Sequence, residues 1–144
     1  MGVRMSAPGK GWNLASVDEM TPLGDAADPG FWSEWARQPD FGKGWGSVGP
    51  FFGIRGFGVA TSRADAGDEL VVPHEEVSFD GQEELYVGLR GRARFTLNGE
   101  VVELGPGDLL HVEAPVIREA VAMESPTLVL CIGGTPGRSY STSG

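Results

Sequence analysis

Cysteine, histidine and positive charge are all scarce in this chain. Cys131 is the single cysteine among 144 residues, so no intramolecular disulfide can form. It lies in the apolar run LVLCIGG, which marks it as a core residue rather than a nucleophile. His74 and His111 are the only imidazoles, which limits any histidine-rich metal centre. Lys and Arg number 11 against 20 Asp and Glu, a formal charge of -9. That balance argues against nucleic acid and against an anionic membrane surface as partners, and favours solubility. No apolar run approaches a transmembrane span, and the leading MGVRMSAPGKG lacks the apolar region of a signal peptide. A cytoplasmic location is the resulting expectation. The glycines of FGKGWGSVGPFFG, residues 41–53, lack the Gly-Lys-Ser/Thr ending of a phosphate loop.

Glycine, by contrast, is abundant at 23 residues, which suits many tight turns between short strands. The length fits one domain with a real core. Residues 1–50 read as an N-terminal extension. Within it, residues 13–20 suit a short strand or turn laid against the main body. DPGFWSEWARQ, residues 28–38, predicts a short helix: Asp28 can cap it, Pro29 suits its first position and Pro39 stops it. Residues 41–53 read as a loop. A strand is expected over 54–64, then a turn over 64–70. ELYVGLRG alternates, with Leu85, Val87 and Leu89 on one side and Glu84, Tyr86 and Gly88 on the other. The same rule stops Glu83 and Glu84 from facing one way. RARFTL alternates again, Asn98-Gly99 is a strong hairpin signal, and EVVEL is the return strand. LLHVEA, VIREAVA and TLVLCIGG complete the series, and a polar tail closes the chain over 137–144. Strands at this spacing indicate an all-β antiparallel sandwich or barrel.

Two stretches carry a family resemblance: PHEEVSFDGQEELYVGLRG from Pro73 to Gly91, and LGPGDLLHVEAPVIREA from Leu104 to Ala120. Together they resemble the two motifs of the cupin superfamily over roughly residues 51–134. In the first motif Glu84 and Gly91 fit, His74 comes one residue late after Gly67, and the second His position falls on Glu76. In the second motif, counted from Gly107, the Pro and Gly positions hold Glu113 and Pro115. The His position holds Arg118 and the Asn position Ala122. The resemblance implies a cupin-type jelly-roll β-barrel over 51–136. It also implies a homodimer, to which Trp12, Trp32, Trp35 and Trp45 add aromatic surface outside the motifs.

Metal-binding cupins hold one divalent ion with three His and one Glu. Here the corresponding residues are His74, Glu76, Glu84 and Arg118, and a guanidinium has no lone pair to donate. The expectation is therefore no metal cofactor, with one divalent transition metal as the alternative. Arg118 reads either as an interior cation partnered by Glu84 or Glu76, or as a surface residue. As an interior cation it would attract an anionic or strongly polarised oxygen of a ligand. His74 is either a loop imidazole or a general acid/base raised by Glu75 and Glu76. The candidate catalytic residues are His74, Glu84 and Arg118, and the candidate ligand-binding residues are Glu76, Tyr86 and His111, with His111 as a wall residue. Three functions compete. The first is a metal-free small-molecule-binding barrel, with acid/base chemistry such as cyclisation or isomerisation. The second is a metal-dependent enzyme using His74, Glu76 and Glu84, and the third a non-catalytic sensor or accessory protein.

Overall fold

Period-two alternation shapes the main strands, and the turn residues decide where each strand reverses. The computed structural model describes residues 7–8, 11–19, 45–46 and 48–138. The strands among the described residues are β1 (Ala7–Pro8), β2 (Asn13–Leu14), β3 (Trp45–Gly46), β4 (Gly58–Ala64), β5 (Glu69–His74), β6 (Glu83–Arg90), β7 (Ala93–Leu97), β8 (Glu100–Leu104), β9 (Leu109–Val112), β10 (Arg118–Ala122) and β11 (Thr127–Gly134). Among the described residues β1 and β2 pair only with each other. The order β5-β10-β7-β8 makes a four-stranded sheet, and β3-β4-β11-β6-β9 a five-stranded one. Every pairing is antiparallel.

The β7–β8 hairpin turns at Asn98-Gly99, where both residues take positive φ, 49° and 87°. Such a turn matches the twist of the flanking strands, so this signal specified its register. With that register set, Ala93 and Phe95 face inward while Arg94 stays exposed. On β6 the inward side carries Tyr86, and the Tyr86 and Phe95 rings meet 4.9 Å apart between the two sheets. Leu70, Val71, Leu104, Val112, Ala120, Ala122, Val129 and Cys131 complete the core. Cys131 is buried, as its apolar run implies.

Gly88 shows where small size is needed. A methyl at this position would run into the Gly105 carbonyl of the turn before β9. The close approach lets the Gly88 N–H reach the Asp108 carbonyl at 3.0 Å and the Gly88 carbonyl accept from the Gly107 N–H at 2.8 Å.

The N-terminal and early segments differ from the expectation in detail. The strand expected from residue 54 starts at Gly58, and the stretch read as a loop contains β3 and a one-turn helix, α1 (Val48–Phe52). β3 forms because Trp45 and Gly46 pair with Ser62 and Thr61 on β4. In α1, Pro50 stands in the first turn, where its missing N–H has no intrahelical partner to lose, and Gly53 follows at φ 70°. β5 runs through Pro73, which is tolerated because β5 is the edge of its sheet. Residues 13–19 supply β2 and a short 3₁₀ turn, and Asp18 bonds Arg63 of β4 at 2.8 Å. The helix expected over 28–38, with Trp32 and Trp35, lies outside the described residues, as does the tail beyond Arg138. No helix among the described residues is long and apolar enough to cross a membrane.

Candidate functional site

The site forms where the ends of β5 and β10 meet the start of β6. Arg118, first residue of β10, pairs in register with His74, last residue of β5. Glu84, second residue of β6, projects to the same side as Tyr86, as period two requires. The short turn after β5 sorts the two adjacent glutamates. Glu75 accepts bonds from the Val77 N–H at 2.6 Å and the Ser78 hydroxyl at 2.6 Å, and so caps the turn on its outer side. Its carboxyl consequently lies below the usual range, chiefly through Ser78. Glu76 turns inward and is buried.

Arg118 has no side-chain exposure, and its guanidinium is engaged on all three nitrogens. Nη1 donates to Glu84 Oε1 at 2.6 Å, Nε to the Val116 carbonyl at 3.0 Å, and Nη2 to the Glu113 and Ala114 carbonyls at 2.7 and 3.4 Å. Glu84 Oε1 also accepts the Tyr86 hydroxyl at 2.6 Å, and Oε2 accepts the Cys131 thiol at 3.4 Å. Burial pushes both the Tyr86 phenol and the Cys131 thiol well up, with the Glu84 charge adding to it, so both remain protonated donors.

His74 forms the second pair. Its Nδ1–H donates to the Val72 carbonyl at 2.7 Å, and its Nε2 lies 2.7 Å from Glu76 Oε2. Because the carbonyl can only accept, Nδ1 carries a proton. One further proton then lies between Nε2 and Oε2. Burial pulls the imidazole pKa down, but the bonds to Glu76 and Val72 outweigh it and leave it raised. Burial pushes the Glu76 carboxyl up, and the Glu84 charge adds to that against the opposing pull of His74 and Arg118. The pair therefore keeps its shared proton to higher pH than its separate members would. His74 and Glu76 retain 16% and 11% side-chain exposure, whereas Arg118 is sealed.

Five of the six expected site residues come together: His74, Glu76, Glu84, Tyr86 and Arg118. His111 does not. It pairs in register with Leu85, on the opposite face of β6 from Glu84, and bonds the exposed Glu83 at 2.7 Å. Its expected place as a wall residue is thus corrected by the register of β9 on β6. Arg118 is an interior cation, partnered by Glu84, and its expected contact with a ligand anion is corrected by its complete burial. Glu75 faces Ser78 rather than His74. Three contributors were missed: the Cys131 thiol, the Val72 carbonyl and the carbonyls of Glu113, Ala114 and Val116. The apolar run of β11 marks Cys131 as core, but only its pairing with Tyr86 on β6 places the thiol at the site.

The donor set does not fit the four-ligand centre of metal-binding cupins. His74, Glu76 and Glu84 each offer an atom within 4.8 Å of the others. The fourth corner, however, is a guanidinium, which cannot ligate and already holds Glu84. The imidazole Nδ1 is committed to Val72, and Nε2 to Glu76.

No family model matches the chain, and no curated protein matches it. Solved structures do. The chain is similar to a cupin protein from Bacteroides fragilis, at 26% identity and a TM-score of 0.56 over 67% of this chain and 81% of that one. It is also similar to a sugar phosphate isomerase from a cupin superfamily of Silicibacter pomeroyi, at 20% identity and a TM-score of 0.61 over 88% of this chain and 80% of that one. The chain has a cupin fold.

Proposed function

We propose that this protein is a small-molecule-binding cupin barrel that works without a metal ion, and that His74 and Glu76 form its proton-transfer pair. The observation that carries the reading is the 2.7 Å contact between His74 Nε2 and Glu76 Oε2, in a pair that is largely buried yet keeps some side-chain exposure. In the ion-pair form Glu76 takes a proton from a carbon or hydroxyl group of the ligand, while the imidazolium supplies one to a polarised oxygen. Returning the proton at a different atom is an isomerisation, and closing a ring is a cyclisation. Tyr86 and Glu84 form the interior wall behind the pair. Arg118 is no part of the ligand contact, so the chemistry does not call for an anionic ligand.

The isomerase neighbour is 20% identical, a likeness of fold, and the reading rests on this chain's own residues. The test is proton exchange. The protein is incubated in deuterated water with a panel of ketones, aldoses and ketoses, and deuterium entry at carbon is followed by NMR. Exchange that disappears in Glu76→Gln and His74→Gln supports the reading. No exchange with any compound, together with no binding by calorimetry, rejects it in favour of a sensor or accessory role.

One observation favours a second reading: the convergence of His74, Glu76 and Glu84 within 4.8 Å. A divalent transition ion would be held by these three once Nε2 is freed from Glu76. Metal analysis of protein made without a histidine tag separates the two readings. The proposed assembly is a homodimer, supported by the exposed Trp12 and Leu14 of the β1–β2 region and checked by light scattering.

A further inference from the structure

Arg118 reaches Glu76 by a route that involves no direct contact. The guanidinium holds the Glu113 and Ala114 carbonyls through Nη2 and the Val116 carbonyl through Nε. The Ala114 carbonyl also accepts the Glu76 N–H at 2.9 Å. The segment 113–116 therefore stands between the arginine and the backbone of the residue that faces His74. At its other end the guanidinium is fixed to Glu84, on a strand of the opposite sheet. Arg118 thus connects three parts: β10, the segment 113–116 and β6.

We infer that Arg118 is the positioning residue of the site, and that its planar fork sets where Glu76 stands relative to His74. The inference rests on His74 and Glu76 being the working pair. An isolated carboxylate in the interior needs only a cation, and a lysine would supply one. It does not need a group that also takes three carbonyls of one turn. A lysine ammonium is a point charge with no rigid fork, so it cannot hold Glu84 and those three carbonyls in the same plane. The functional content of Arg118 is therefore its shape as well as its charge. Without the fork, the turn 113–116 loses its fixed partner and the Glu76 backbone bond loosens.

The chain has only two histidines, which makes the test direct. The His111 imidazole is exposed on the outer face and serves as an internal reference. Imidazole nitrogen signals and the hydrogen-exchange rate of the Glu76 amide are measured by NMR in the unliganded protein. Three variants are compared with the parent: Arg118→Lys, Arg118→Gln, and Arg118→Met with Glu84→Gln. The last removes both charges together, so folding is not limited by an orphaned ion.

The inference predicts that all folded variants show shifted His74 nitrogen signals and unshifted His111 signals. It also predicts that the Glu76 amide exchanges about tenfold faster, as expected when one backbone bond is weakened. If His74 signals and Glu76 exchange in Arg118→Lys match the parent, charge alone suffices and the inference is overturned. A doubly neutral variant that matches the parent overturns it equally. These readouts need no ligand. Failure here, with deuterium exchange still dependent on Glu76, removes the positioning role and leaves the proposed function standing. The reverse pattern, with the predicted shifts present but no ligand chemistry, removes the function and keeps the position of the turn.

Discussion

Arg118 and Glu84 meet across the interior at 2.6 Å, the arginine from the four-stranded sheet and the glutamate from the five-stranded one. Neither is a free charge, because each is the other's neutralising partner. Removing one leaves a buried ion uncompensated, which costs about 3–5 kcal/mol. Arg118→Met and Glu84→Gln should therefore each destabilise the protein strongly. The double variant should cost much less than the sum. Urea unfolding of the four proteins measures the coupling.

The His74–Glu76 pair makes stability depend on pH with a definite sign. Both groups have raised values in the fold, so each contributes most while protonated. The His74 contribution is complete below its ordinary 6.5 and is lost as pH rises through its raised value. That of Glu76 is complete below its ordinary 4.5 and is lost as pH rises through its own raised value. The melting temperature should thus fall between mildly acidic and mildly alkaline buffers. The fall should flatten in His74→Gln with Glu76→Gln. Asp18 and Glu75 act oppositely. Their lowered carboxyls contribute above the ordinary carboxylate range, and that contribution is lost as pH falls through their folded values. An equally steep alkaline limb in the double variant would count against the pair.

Chelator should leave the melting curve of the parent protein unchanged. Arg118→His replaces the guanidinium with a group that can ligate, beside His74, Glu76 and Glu84. Zinc should then raise the melting temperature of that variant and not of the parent. A site filled to 100 times its dissociation constant adds about 2.7 kcal/mol, well within the reach of calorimetry. A zinc-dependent rise in the parent would instead favour the three-ligand metal reading.

His111→Ala should change neither ligand binding nor deuterium exchange. Its contact with Glu83 is solvent-exposed on both sides, and such surface contacts are worth at most about 1 kcal/mol. Loss of exchange in this variant would require His111 to reach the interior, against the register of β9.

Gly88→Ala should destabilise the barrel by roughly 1–3 kcal/mol, the usual range for overpacking. The added methyl meets backbone, the Gly105 carbonyl, rather than a side chain that can swing aside. Denaturation of this variant beside the parent checks the close approach of β6 to the turn before β9.

Much of the architecture was legible because it depends on local rules. Alternation placed Glu84 and Tyr86 on one face of β6 and Leu85 on the other. Asn98-Gly99 specified one hairpin through its positive φ angles. The replacement of a ligand position by arginine was visible as a change of residue type alone. Elements held by pairing were harder to see. β3 is two residues long and exists because β4 offers it an edge, while β5 passes through a proline that only an edge strand accepts.

Which residues touch was decided by the tertiary structure. Arg118 and Glu84 are 34 positions apart, and only the packing of one sheet on the other brings them together. The same packing seals the guanidinium, turning an expected ligand contact into an internal support. His111 alternates in its own strand, but whether it faces inward depends on the register of β9 against β6, which no local pattern encodes. His74 and Glu76 are two residues apart. They meet because Glu75 turns outward to cap the turn that follows, and because Ala114, from a distant segment, holds the Glu76 backbone in place. The amino-acid sequence by itself determined the later strands, the main hairpin and the broken metal motif, since these follow from side-chain period, turn geometry and ligand chemistry. The His74–Glu76 contact and the bonds that support it were decided by contacts between segments far apart in the chain, which exist only once the two sheets have closed.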